Sequence, residues 1–497
     1  MIRYASVAFV VCVLVSATLT WLIRRYAPLL GLTDKPDRRR KLHELPTPVG
    51  GGIAIFATMA LILGIVVFTP NPWAIHPNQD WPDIAAFFGA GLWIVILGTI
   101  DDRFQLRGRY KLLGQIVAGV ILVASGSTIH QVGVFGYDIP LGVFAVPISI
   151  LWFVGTINAV NLLDGIDGMA TTIGIILALS LAGLATLTGH YAVAFVSLAF
   201  AGALIGFLWF NLPPASIFLG DSGSMLIGLM IGAMAIRASL KGAGTVLLAA
   251  PLALCLLPIL DSTAAIVRRK LSGRSIFATD RAHLHHRLLE KLGNNYRVLA
   301  VVGVLCIVLC LGGLAGVAWK NDLVAIATSA AVVVILIVTG LFGRGEAQLV
   351  YTKCRRLLRG LLNPFRRPAE AHTSCIQVQG NHSWDRLWET ITEHAARRNI
   401  LSVELTIDVP RLHESFCAVW DAPSNGYDEA SLWQCRCPVR YDGEIAGSLR
   451  LTGLLAETHA FEDVLAELRT IIEDKLASMR PDPSPEAEPA PAPATVR

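Results

Sequence analysis

The chain has 497 residues, 54% of them hydrophobic and only 16% charged, and its mean hydropathy of +0.57 excludes a soluble globular protein and points to a polytopic membrane protein. A formal net charge of +4 is too small to imply nucleic acid as a partner, so where the charges lie matters more than their sum. The nine cysteines are scattered, with Cys12, Cys255, Cys306 and Cys310 inside apolar runs, which excludes a secreted disulfide framework and reads as reduced thiols.

The first apolar stretch, Tyr4–Ile23, starts like a signal peptide. However, Trp21, Leu22 and Ile23 run directly into Arg24 and Arg25 without a small-residue cleavage site, so it reads as a retained first span. Further windows long enough to cross a bilayer follow at Gly51–Phe68, Ile84–Ile100, Pro140–Ile157, Ala192–Phe210, Thr245–Val267, Val298–Ala318 and Leu323–Phe342. More polar windows at Leu112–Ser127, Thr171–Leu187 and Met225–Ala238 bring the expectation to roughly eleven transmembrane helices, an all-α polytopic membrane domain over residues 1–342.

Lys and Arg set the orientation. Arg24, Arg25, Lys35, Arg38, Arg39, Arg40 and Lys41 follow the first window, and Arg268, Arg269, Lys270, Arg274, Arg281, Arg287, Lys291 and Arg297 follow Thr245–Val267, so both loops are expected in the cytoplasm. The stretches Thr69–Asp83 and Thr128–Ile139 contain no Lys or Arg, as the opposite side requires, and the amino terminus is expected outside.

Residues 343–371 read as a basic linker, 372–480 as a small cytoplasmic α+β accessory domain and 481–497, rich in Pro, Ala and Glu, as a disordered tail. Within the accessory domain Leu401–Val409 and Cys435–Leu451 read as strands, the latter turning at Asp442-Gly443. Trp384–Arg398 and Phe461–Met479 read as amphipathic helices. Cys435 and Cys437 share one strand face, where core packing outweighs metal binding.

On this topology every unusual polar cluster falls on the cytoplasmic side: Asp34–Gly52, Asp101–Lys111, Asn158–Gly168, Asn211–Ser224 and Arg268–Arg287. Carboxylates at the hydrocarbon boundary are costly unless paired or bound to a cation, so they read as functional, with helix capping the alternative for any single acid. Asp101-Asp102 closes the third window, Asn158, Asn161, Asp164 and Asp167 crowd together after Ile157, and Asp221 stands in Phe-Leu-Gly-Asp-Ser-Gly-Ser. Hard oxygen donors beside glycines suit Mg²⁺, with Mn²⁺ as the alternative, bridging to a diphosphate.

Arg281, His283, His285 and His286 place imidazoles beside cations, which suits a phosphate as well as a transition metal; the arginines and the lack of nearby cysteines favour phosphate over zinc. Lys41 and His43, followed by Thr47 and three glycines, form a basic and then turn-rich element, although positive-inside loops are basic in any case.

Together these motifs resemble the polyprenyl-phosphate N-acetylhexosamine-1-phosphate transferase family over roughly Met1 to Phe342. The resemblance implies transfer of a sugar 1-phosphate from UDP-GlcNAc to undecaprenyl phosphate at the inner membrane, with release of UMP, starting a cell-surface polysaccharide such as O-antigen, teichoic acid or exopolysaccharide. The His-Leu-His-His form, His283 to His286, resembles the UDP-GlcNAc branch rather than the branch that transfers phospho-MurNAc-pentapeptide. By similarity Asp221, with Asp164, holds the metal; Asp101 and Asp102 form the family's aspartate pair; Asn158, Asn161, Asp164 and Asp167 line the nucleotide site. Asn211 and Phe218 would face uracil and ribose, Arg281, His283, His285 and His286 the diphosphate, and Lys41 and His43 match the amino-terminal motif. A homodimer and a cytoplasmic partner for the accessory domain are further expectations. A covalent aspartyl intermediate stays open beside direct transfer. A membrane transporter is the rival class, but transporter sites lie near the bilayer midplane, whereas these acids collect at helix ends.

Overall fold

The computed structural model describes residues 2–34, 46–73, 77–134, 137–239 and 291–341, scattered positions between 256 and 289, and 372–379, 384–398, 400–409, 414–422, 432–454 and 461–478. They divide into two units, one within Met1–Val267 and Ser275–Arg344 and the other within Gly345–Arg497.

The first unit is built from helices, the form in which an apolar run satisfies its own backbone donors and acceptors without water. In chain order they are α1 (Ile2–Tyr26), α2 (Gly51–Val67), α3 (Pro77–Phe104), α4 (Gly108–Ala124), α5 (Ala145–Leu163), α6 (Met169–Leu187), α7 (Tyr191–Asn211), α8 (Gly220–Ser239), α9 (Asn295–Ala318) and α10 (Asp322–Val338). Among the described residues six helical segments are long and apolar enough to cross a bilayer: Tyr4–Leu30, Pro82–Phe104, Gly142–Leu163, Met169–Leu187, Tyr191–Asn211 and Asn295–Ala318. That is fewer than eleven: α2, α4 and α10 have only 17 residues each, α8 carries Asp221 and Arg237, and Thr245–Val267 lies largely outside the described residues.

The weak hydropathy of α8 has a packing reason. Its apolar side chains from Met225 to Ala238 are all buried, because α2, α3, α5 and α6 surround it. A helix facing protein on all sides can use small residues to bring its neighbours close. A Cβ at Gly228 would lie 2.5 Å from the Thr156 carbonyl oxygen of α5, a contact only glycine permits. Exposed apolar stripes lie instead on outer helices, at Val7 and Leu14 of α1, Val117 and Val120 of α4, Val308 and Leu311 of α9, and Val334 and Val338 of α10. Such surface is unfavourable in water and suited to lipid.

Two boundaries differ from the sequence reading. The stretch expected to be a plain external loop contains an antiparallel hairpin, β3 (Gln131–Val134) with β4 (Tyr137–Pro140). The chemistry-bearing segments are also more helical than expected: Asp101 and Asp102 lie inside α3, Asn158 and Asn161 inside α5, and Asp221 in the first turn of α8. A short pairing of β1 (Thr33–Asp34) with β2 (Thr47–Pro48) brings the two ends of the amino-terminal motif together.

The second unit is an antiparallel five-stranded sheet of order β5-β7-β6-β9-β8, formed by β5 (His372–Gln379), β6 (Ser402–Val409), β7 (Glu414–Asp421), β8 (Leu432–Tyr441) and β9 (Glu444–Leu454). Two helices, α11 (Asp385–Arg397) and α12 (Phe461–Ser478), share its core. Asp442 and Gly443, at φ 51° and 79°, make the left-handed two-residue turn expected between β8 and β9. Two strands went unread: β5, and β7, whose Phe416, Ala418 and Trp420 alternate inward behind a buried Glu414 that accepts a 2.8 Å bond from Trp384 Nε1. Cys435 and Cys437 are half-buried on the same strand face as fully buried Val439, a packing role.

Candidate active site

Two aspartates at the carboxyl end of α3 and a lysine in the first turn of α4 are each placed against their own helix dipole, so each needs a partner from elsewhere. Lys111 provides one. Its Nζ lies 2.9 Å from Asp101 Oδ2 and 2.8 Å from Asp221 Oδ2, joining the end of α3 to the start of α8. Asp101 also accepts a 2.7 Å bond from the Leu106 amide, which turns the chain into α4.

Asp102 finds its compensation on α8. Its Oδ1 accepts from the Asp221 amide at 2.7 Å and its Oδ2 from the Ser222 amide at 3.3 Å. Asp221 is held from a third side by Asn161, whose Nδ2 donates to Asp221 Oδ1 at 2.5 Å and to Ser224 Oγ at 2.9 Å. Asp164 follows at the end of α5. Burial, and then the charges of Asp221, Asp102 and Asp167, hold its carboxyl well above the usual carboxylate range. Among the described residues no hydrogen bond or ion pair reaches that carboxylate.

The loop between α7 and α8 is fastened by side chains. Asp167 Oδ2 accepts from the Ala215 amide at 2.9 Å, Asn211 Nδ2 donates to the Ile217 carbonyl at 3.0 Å, and Asn211 Oδ1 accepts from Thr171 at 2.9 Å. The same loop pairs with the amino-terminal motif: the Phe218 amide donates to the Pro48 carbonyl, and the Gly50 and Gly51 amides donate to the Phe218 carbonyl. Tyr296, in the first turn of α9, donates its hydroxyl to the Pro213 carbonyl. These elements enclose a cavity of about 1170 Å³, lined by Asp34, Thr47, Asp101, Asp102, Asn161, Asp164, Asp167, Phe218, Asp221 and Tyr296 among others. It is roomy enough for a nucleotide sugar.

Residues 84–239, which contain most of this cavity, match the model of glycosyl transferase family 4. The chain is 32% identical over 299 residues to a probable undecaprenyl-phosphate N-acetylglucosaminyl 1-phosphate transferase of Bacillus subtilis, covering 60% of this chain and 80% of that one. It is 35% identical over 303 residues to the decaprenyl-phosphate N-acetylglucosaminephosphotransferase of Mycobacterium tuberculosis, covering 56% and 74%. It is also 30% identical over 327 residues to the phospho-N-acetylmuramoyl-pentapeptide-transferase of Clostridium kluyveri, covering 62% and 96%. The chain belongs to the polyprenyl-phosphate N-acetylhexosamine-1-phosphate transferase family. It is therefore an integral membrane protein whose reactants are a nucleotide sugar and a polyprenyl phosphate.

Most of the sequence-derived site converges on the cavity, with some corrections of role. Asn158 does not line it: its amide bonds Gln115 at 2.6 Å and the Val154 carbonyl at 2.8 Å, because α5 continues through Asn158 and turns it toward α4. Asn211, expected against uracil and ribose, lines the cavity but is almost fully buried, with both ends of its amide engaged inside the protein, so it also shapes the loop that carries Phe218. Asp167 likewise fastens this loop. Lys41, His43, Arg281, His283, His285 and His286 lie outside the described residues.

Lys111 closes the Asp101–Lys111 cluster in the sequence but has no role of its own there, although it carries a signal as the only lysine between Lys41 and Lys241. Asn294, Asn295 and Tyr296 went unread because nothing local ties the start of α9 to a site. Among the described residues no group of three or more His, Cys, Asp or Glu side chains converges so as to hold a metal ion. Mg²⁺ asks for less, usually one or two carboxylates plus substrate phosphates, and Asp221 and Asp164, which both line the cavity, are the carboxylates that could supply them.

Proposed function

We propose that this chain transfers N-acetylglucosamine 1-phosphate from UDP-GlcNAc to undecaprenyl phosphate, releasing UMP, at the cytoplasmic face of a bacterial inner membrane. The observation that carries the reading is the convergence of Asp101, Asp102, Asn161, Asp164 and Asp221 on the wall of one cavity large enough for a nucleotide sugar, with Lys111 paired to Asp101 and Asp221. A phosphate oxygen of the lipid attacks the sugar-bearing β-phosphorus. The bond from that phosphorus to the bridging oxygen breaks, and UMP carries the electron pair away. A phosphate monoester with a second pKa near 6 is largely dianionic at neutral pH, so no strong base is needed and the barrier is chiefly electrostatic.

Lys111 places a cation where anionic oxygens meet, and Asn161 fixes the rotamer of Asp221. Phe218, on the loop fastened by Asn211 and Asp167, offers a ring to the uracil. Asp221 and Asp164 are the residues that would hold Mg²⁺, which would supply neutralisation of diphosphate charge. Lys41, His43, Arg281, His283, His285 and His286 belong to the same reading as phosphate ligands, as does an eleven-helix topology with the amino terminus outside.

GlcNAc is supported by the His283–His286 motif and by the Bacillus and Mycobacterium relatives, both named for N-acetylglucosamine transfer. The product would begin a cell-surface polysaccharide. The test is purified protein with undecaprenyl phosphate, Mg²⁺ and a panel of labelled UDP-GlcNAc, UDP-GalNAc and UDP-MurNAc-pentapeptide. Organic-phase label with stoichiometric UMP from UDP-GlcNAc supports the proposal. Label from the pentapeptide substrate alone overturns the sugar assignment, and no lipid-linked label from any donor overturns the reaction.

A further inference from the structure

The helix α8 that carries Asp221 begins without a cap of its own. The residue preceding it is Leu219, which has no side-chain acceptor, so the first amides of α8 need acceptors from elsewhere. Asp102 supplies them from 119 residues upstream: one oxygen takes the Asp221 amide at 2.7 Å and the other the Ser222 amide at 3.3 Å. The carboxylate thereby also meets the positive end of the α8 dipole.

The surrounding backbone is cut to fit this contact. Gly220 has φ +73°, and a Cβ there would fall 2.6 Å from Asp102 Oδ2. One turn before Asp102, a Cβ on Gly98 would fall 2.3 Å from Ser222 Cα, and from α2 a Cβ on Gly52 would fall 2.4 Å from the Ser222 carbonyl carbon. Three glycines on three segments thus leave room for α3 and α2 to touch the first turn of α8. Asp101, one residue earlier, points to Lys111 and takes no α8 amide.

We propose that the adjacent aspartates divide their work: Asp101 holds Lys111 and the turn into α4, and Asp102, also on the cavity wall, is a positioning residue that caps α8 from a neighbouring helix and so fixes Asp221. This rests on the proposed transferase reading for the part played by Asp221, but the cap itself does not. Asparagine can still accept the Asp221 amide through Oδ1, whereas alanine cannot, and a group needed for its negative charge or as a base tolerates neither.

The test compares full-length Asp102→Asn and Asp102→Ala in detergent, measuring turnover with UDP-GlcNAc and undecaprenyl phosphate and hydrogen exchange in peptides covering the first turn of α8. Asp102→Asn is expected to keep turnover within about tenfold of the parent, since the shorter bond from the Asp221 amide is kept and what is lost is the anion–dipole attraction and the longer 3.3 Å bond from the Ser222 amide. Asp102→Ala is expected to fall about a hundredfold, the scale of an ångström of misplacement, with faster exchange confined to that first turn. A folded Asp102→Asn as inactive as Asp102→Ala overturns the division of labour. Unchanged exchange in Asp102→Ala overturns the cap. Should Asp102→Ala not fold, the Asp102→Asn turnover and exchange decide alone. A parent protein inactive with every donor refutes the transferase reading, while the exchange data still judge the cap.

Discussion

Replacing Lys111 by methionine keeps most of the stem and removes the charge, leaving Asp101 and Asp221 facing each other. At 2.9 and 2.8 Å, each attraction is worth roughly 6 kcal/mol gross at an effective dielectric of about 20, most of it offset by desolvation. Breaking a buried pair typically costs about 3–5 kcal/mol. Lys111 and Asp221 are 17% and 33% exposed, so water screens the remainder and the lower end, about 3 kcal/mol, applies. If that loss falls on the transferring phosphoryl group, turnover drops about a hundredfold, in line with removal of one electrostatic donor from a preorganised site. The assay is organic-phase product per unit protein, with a melting curve to show that the variant is folded. Adding Asp101→Asn to Lys111→Met should cost much less than the sum of the two single losses, since both remove one interaction. A folded Lys111→Met protein with turnover within threefold of the parent would refute the idea that this ammonium serves the reaction.

Asp221→Asn should abolish detectable turnover and weaken Mg²⁺-dependent thermal stabilisation; persistent stabilisation by Mg²⁺ would exclude Asp221 as a ligand. Asn211→Ala strands the Ile217 carbonyl and the Thr171 hydroxyl, a cost of about 1–3 kcal/mol, and should raise KM for UDP-GlcNAc at least tenfold with kcat little changed, as steady-state kinetics will tell. In the second unit Glu414→Ala leaves Trp384 Nε1 without its 2.8 Å acceptor in a dry core, and should destabilise that unit by about 2–3 kcal/mol, seen as faster hydrogen exchange in α11 and β7 of the full-length protein.

Much of this protein was legible without coordinates because its signals are local. A run of apolar residues such as Tyr191–Asn211 must become a helix in lipid whatever lies around it, and Asp442-Gly443 turns the chain through its own left-handed preference. Clustering of acids at helix ends likewise marked Asp101, Asp164 and Asp221 as one group, since a lone carboxylate at the hydrocarbon boundary is too costly to be incidental. Tertiary structure alone decided how these groups share the work. Asn158 and Asn161 are three residues apart, yet one bonds α4 and the other Asp221; the bond of Asp102 to the start of α8 joins positions 119 apart, as Lys111 joins Asp221 across 110. Periodicity and motif spacing act over a turn or two of chain, whereas which oxygen meets which amide depends on how closely two helices approach, and that distance is set by glycines on segments far apart in the sequence.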